Sequence, residues 1–128
     1  MKKFYFLLIV FGTYFNIQAQ EWDLINENDE YKLYIRNHSE TSAWVKWEYN
    51  EVQISEDLLG EKEKLKSMLM LFKFDCEKKM TGILAQVYYD DEGNVISSND
   101  NGDIAIMENV IPESVGEKVL FIFCNSKE

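Results

Sequence analysis

Residues 43–49 read Ala-Trp-Val-Lys-Trp-Glu-Tyr, and residues 31–36 read Tyr-Lys-Leu-Tyr-Ile-Arg. Successive side chains of an extended chain point to opposite faces of a sheet. In the first segment Ala43, Val45, Trp47 and Tyr49 therefore point one way, and Trp44, Lys46 and Glu48 the other. In the second, Tyr31, Leu33 and Ile35 alternate with Lys32, Tyr34 and Arg36. One buried face per segment, with only the turn-rich Asn37–Thr41 between them, is antiparallel-sheet material. Parallel strands would be apolar on both faces and separated by crossover helices.

Before this pair, Trp22–Ile25 is a short apolar stretch followed by the polar turn Asn26-Glu27-Asn28-Asp29. After it, Leu58–Phe74 carries two patterns at once. Glu61-Lys62-Glu63-Lys64 are good helix formers, and Leu65, Leu69 and Phe72 recur near helical spacing. Met68, Met70, Phe72, Phe74 and Cys76, however, also share one side of an extended chain. We read Ser67–Asp75 as a central strand covered on both faces. Glu77-Lys78-Lys79 is then a charged turn into Ile83–Tyr89, a run rich in β-formers, and Asp90-Asp91-Glu92-Gly93-Asn94 closes a hairpin onto Val95-Ile96. The expectation is an α+β fold: an antiparallel meander of about six strands with one carboxyl-terminal helix packed on it.

The helix is expected after Pro112, the single proline, because Ser114 is followed three residues later by Glu117. Ser-x-x-Glu is a capping box, in which hydroxyl and carboxylate satisfy backbone donors that the first turn leaves unpaired. Val115, Val119 and Ile122 follow at helical spacing, and Gly116 weakens the pattern by about 1 kcal/mol relative to alanine. Val119–Phe123 also reads as a buried strand, the alternative at this end.

The amino terminus is of a different kind. Lys2 and Lys3 precede an apolar run from Phe4 to Phe15, broken only by Gly12 and Thr13, and a polar exit with Ala19 at the cleavage point. This is the pattern of a secretory signal peptide over 1–19, leaving 20–128 as one domain. The rival reading, a retained membrane anchor, asks a run spanning roughly 18 Å to cross a hydrocarbon core of about 30 Å. With no Cys near the cut there is no thiol to acylate. Removing nineteen of the 128 residues leaves 109 and takes the formal charge from −10 to −12, because Lys2 and Lys3 go with them.

Twenty-three Asp and Glu against 13 Lys and Arg, with a pI near 4.6, exclude the basic footprint that nucleic acid requires and disfavour anionic membrane surfaces. One His and two Cys leave almost no material for a metal, haem or iron–sulfur cofactor, and none is expected. In an exported chain the two thiols meet an oxidising compartment. A Cys76–Cys124 bond would close a loop of about fifty residues and contribute roughly 4 kcal/mol at most. The alternative is two buried thiols that never meet.

Trp22, the Tyr31–Ile35 segment, the aromatic Trp44-Val45, Phe74-Asp75-Cys76, a tyrosine-bearing hairpin strand, Pro112-Glu113-Ser114 and the terminal Cys124 occur in an order that resembles the surface-adhesin protein E family of bacterial envelope proteins. The resemblance covers nearly the whole domain. It implies an antiparallel sheet with a carboxyl-terminal helix held by a Cys76–Cys124 disulfide, and an adhesin-like role toward host matrix proteins. The chain departs from the family in lacking a Cys at its processed start, and in carrying Ala105-Ile106-Met107 where relatives often have Trp.

Three other constellations resemble chemical sites. Ser97–Glu108 superposes on a twelve-residue calcium loop, with Asn99, Asn101, Gly102 and Glu108 at suitable positions, but Ser97 stands where the ion needs a carboxylate and a hairpin stands where it needs a helix. A solvated loop is the expectation there. His38, beside Ser39 and Glu40, reads as a surface turn residue, since a nucleophile–base pair is assembled across a fold and not between sequence neighbours. Asp90-Asp91-Glu92 sit in a turn, whereas acid–base work needs a buried carboxyl with a raised pKa. No catalytic residue is assigned. Among the aromatics, Trp47, Tyr49 and Tyr31 read as core, while Trp44 and Tyr88 fall opposite the buried sets and are the candidates for an exposed contact surface. The sequence thus points to an exported, non-catalytic binding protein located in the periplasm, at the cell surface or outside, that contacts a host or matrix protein. The alternative is a periplasmic accessory or inhibitor protein acting on a bacterial envelope partner.

Overall fold

The computed structural model describes residues 21–56 and 58–126. The segment read as a signal peptide, 1–19, lies outside them. Strands β1 (Asp23–Glu27), β2 (Tyr31–Asn37), β3 (Ser42–Glu56), β4 (Lys62–Asp75), β5 (Met80–Tyr89) and β6 (Val95–Asp100) form an antiparallel sheet in the order of the chain. A two-residue strand, β7 (Glu108–Asn109), also pairs with β5, and helix α1 (Val115–Asn125) follows. The expected six-strand meander and terminal helix are both present.

Each turn has a local cause. Asn28 Oδ1 accepts the backbone N–H groups of Glu30 and Tyr31, both at 2.8 Å, which reverses the chain between β1 and β2. β1 thereby runs two residues into the stretch expected to be turn. Asp90 Oδ1 does the same for Glu92 and Asn94 between β5 and β6, and Gly93 there adopts φ +85°. The charged Glu61–Lys64, ambiguous in sequence, continues β4 as strand because Lys62, Glu63 and Lys64 pair with Glu56, Ser55 and Ile54 of β3. Cross-strand pairing overrides their helix propensity. Ser97–Asp100 likewise belong to β6. They are exposed strand and not loop, and with five of its twelve positions extended, Ser97–Asp100 and Glu108, a calcium loop does not form there.

At the carboxyl end helix wins over strand. Ser114 caps it, its Oγ accepting the Glu117 N–H at 3.2 Å. Glu117 reaches back to the N–H of Glu113, one residue before the cap, so the capping box closes in a displaced form. Gly116 lies in the first turn, where a helix is least regular.

The core is one layer of helix on one face of the sheet. Val119, Leu120 and Phe123 pack against Leu33, Ile35, Ala43, Val45, Phe72 and Phe74. Phe123 stacks on Phe74 with centroids 4.3 Å apart. Cys76, just past β4, is bonded to Cys124 near the end of α1, with Cα atoms 5.7 Å apart. Lys118 Nζ donates to Asn26 Oδ1 at 3.0 Å, tethering the helix to β1.

Candidate functional site

The helix is too short for the sheet it covers. Eleven residues of α-helix measure about 16 Å, whereas the fourteen of β4 extend about 48 Å. The helix alone therefore cannot cover the whole length of that face.

Register identifies what lies there, since directly opposed residues share a face. Leu33, fully buried under the helix, is opposite Trp47; Trp47 is opposite Met68; and Met68 is opposite Tyr88. The neighbouring rows are Tyr31 with Tyr49, and Val45 with Met70 and Gln86. Tyr31, Trp47, Tyr49, Met68, Met70 and Tyr88 are all half-buried. Tyr31 and Tyr49 meet edge to face at 6.5 Å, and Tyr88 Oη donates to Gln86 Oε1 at 2.6 Å. Burial pushes the Tyr49 phenol above its ordinary pKa, and the neighbouring Tyr31, Tyr88 and Glu30 add to this. These side chains form an aromatic shelf across β2, β3, β4 and β5.

The shelf continues sideways. Trp47 lies 6.2 Å from Phe72, and Phe72 and Ile83 form the floor of an open groove of about 530 Å³. Its outer wall is the segment after β6, where Ile104 and Ile106 are 78% and 81% exposed. That segment crosses β5 at Gly82, where an added Cβ would lie 2.8 Å from Met107 Sδ and 2.9 Å from Ala105 Cβ. Ala105 and Met107 thus pack inward, and the two isoleucines line the groove.

The two contact residues expected from sequence do not come together. Trp44 is opposite Arg36 and Leu71, and Leu71 is opposite Ala85, so Trp44 belongs to the face away from the helix. Its ring stands edge-on to His38 at 6.2 Å. Nearby, Arg36 and Lys46 lie 4.7 and 4.9 Å from the centre of the Trp22 ring, and Lys46 lies over Tyr34. Tyr88 is on the helix side. The cause is a bulge: Leu71 and Phe72 pair with Ala85 and Ile83, so Leu84 is an extra residue in β5 and inverts the alternation beyond it. Tyr31 and Trp47, read as core, do pack against the buried cluster at its edge, and Tyr49 meets Tyr31 beside them; all three are half-buried. Their partial exposure follows from length, because a short capped helix cannot bury the whole of strands this long.

The remaining candidates keep to turns. His38 is exposed beside Trp44, and the Ser39 hydroxyl shares a hydrogen bond with that of Ser42. The backbone N–H of Asn94, foremost, holds the Asp90 carboxyl below its usual pKa, the direction opposite to that of a general acid. No group of three or more His, Cys, Asp or Glu able to hold a metal ion occurs among the described residues.

The model of the surface-adhesin protein E family matches residues 22–125. The chain belongs to that family. No curated protein and no solved structure matches it. Membership in the surface-adhesin protein E family suggests export to the cell surface, and the disulfide is consistent with it, since such bonds persist in oxidising compartments. No helix among the described residues is long and apolar enough to cross a membrane.

Proposed function

We propose that this protein is an exported, non-catalytic adhesin-like protein that contacts a host or matrix protein through the helix-side aromatic shelf and the adjoining groove. The observation that carries the reading is the open groove walled by Ile104 and Ile106, 78% and 81% exposed, next to the half-buried aromatic residues of β2, β3 and β5. Contiguous exposed apolar surface marks interaction sites, and aromatic side chains in such surfaces dominate interface energetics. Family membership supports the adhesive role, and the disulfide supports a position beyond the cytoplasm. Of the two contact residues expected from sequence, Tyr88 belongs to this surface, while Trp44 faces away from it.

Two measurements test the reading. Surface biotinylation of intact cells should label the protein, and solid-phase binding to host matrix proteins should be saturable. Labelling only after the envelope is opened, together with recovery of a bacterial envelope partner in place of a matrix protein, would favour the periplasmic accessory role.

A further inference from the structure

The turn after β6 brings together the parts of an intramolecular condensation. Asn101 is the one asparagine of the chain followed by glycine, and both residues are exposed. Gly102 has φ +68° and nothing within 4 Å of where a Cβ would stand, so its nitrogen is open to the side chain before it. Two neighbours act on the atoms that would react. Asp100 Oδ1 accepts the Gly102 N–H at 2.7 Å, and Asn99 Nδ2 donates to Asn101 Oδ1 at 3.3 Å. The carboxylate is an acceptor for the proton that the attacking nitrogen must lose. The amide is a donor to the oxygen that turns negative when the side-chain carbonyl is attacked.

Asn101 is also a hook. Its Nδ2 donates to the backbone oxygen of Ile83 at 3.2 Å, its N–H to that of Leu84 at 2.7 Å, and its carbonyl accepts the Ile104 N–H at 3.3 Å. Asn101, Ile83 and Ile104 all line the groove. The residue that fastens the groove wall to β5 is thus the one that chemistry can convert.

We infer that Asn101–Gly102 is a self-modifying site whose conversion releases one end of the groove wall. The Gly102 nitrogen bonds to Asn101 Cγ and passes its proton by way of Asp100 to the side-chain nitrogen, which leaves as ammonia. Water then opens the cyclic imide at either carbonyl, giving an aspartyl or an isoaspartyl residue. Either product replaces the donor facing the Ile83 oxygen by a carboxylate, next to Asp100, Asp103 and the groove-lining Glu108. The isoaspartyl form also inserts a methylene into the main chain, which displaces the carbonyl that Ile104 uses. The far end of the wall stays in place, held by Ala105 and Met107 over Gly82 and by β7. This chemistry is independent of what the groove binds.

The test follows the purified exported protein by peptide mass mapping at neutral pH and body temperature, with a synthetic peptide of residues 97–105 as the unstructured reference. Conversion at Asn101 should run at least as fast in the folded chain as in the peptide. Asp100→Ala and Asn99→Ala should each slow it about two- to fivefold in the protein, the value of one exposed hydrogen bond, and leave the peptide unaffected. The converted protein and the Asn101→Asp variant should be cut sooner by protease within 101–107, with a melting temperature close to that of the parent. Conversion slower in the folded chain than in the peptide, or insensitive to both substitutions, overturns the site. Unchanged cleavage of Asn101→Asp, or a collapse of its melting temperature, overturns the local release of the wall.

Discussion

Breaking the Cys76–Cys124 bond should cost this protein much of its stability. The bond spans 48 residues, and chain-entropy arithmetic for a loop of that length gives about 4 kcal/mol at 25 °C. A domain of this size has a total stability of about 5–15 kcal/mol and loses roughly 4–5 °C of melting temperature per kcal/mol. The expected shift is therefore about 15–20 °C. The structure also says where the loss begins. The crosslink fastens the last turn of α1 to the end of β4, and without it the helix is held by Val119, Leu120 and Phe123 and by the Lys118–Asn26 contact. Amide exchange should rise first in the final turn of the helix and in the core residues beneath it. The assay is calorimetry with and without reductant, repeated on the Cys76→Ser/Cys124→Ser double variant to separate loss of the bond from side effects of the reductant. A shift under about 5 °C in both would refute the entropic reasoning. Uptake of two labels when the native protein is alkylated without reductant would refute the bond itself.

Phe123→Ala should destabilise by about 3–5 kcal/mol in urea denaturation, because the ring is 1% exposed and stacked on Phe74 with nothing to refill its place. Gly82→Val should cost about 1–3 kcal/mol, since its Cβ would meet Met107 Sδ, Ala105 Cβ and the Ile106 carbonyl at 2.8–2.9 Å. Proteolysis should then cut first within 101–107. The raised Tyr49 pKa makes stability alkali-sensitive. The folded state holds that proton more tightly than the unfolded chain, so the contribution is fully present below pH 10.0 and is lost as pH rises through the folded value. A tyrosinate absorbance titration should show one phenol ionising late, and Tyr49→Phe should remove that step.

The fold was largely readable because alternation in 31–36 and 43–49 and the Ser114–Glu117 cap are local signals with single physical causes. Glu61–Lys64 were ambiguous because propensity and pairing disagree there, and pairing is not visible along one strand. The binding surface was less legible for two reasons. Leu84 is one extra residue whose effect is to turn Tyr88 to the other face, and nothing in the composition of β5 marks it. Tyr31, Trp47 and Tyr49 alternate as core residues do, and only the mismatch between an eleven-residue helix and strands of fourteen and fifteen residues explains why they end half-buried at the edge of the core.

The most direct test of the account compares Tyr88→Ala and Trp44→Ala for binding to immobilised host matrix proteins, with melting temperature as a check on folding. The account predicts that Tyr88→Ala weakens binding and Trp44→Ala leaves it intact, because only the helix-side shelf meets the partner. Binding abolished by Trp44→Ala and unaffected by Tyr88→Ala would place the contact on the opposite face and contradict it.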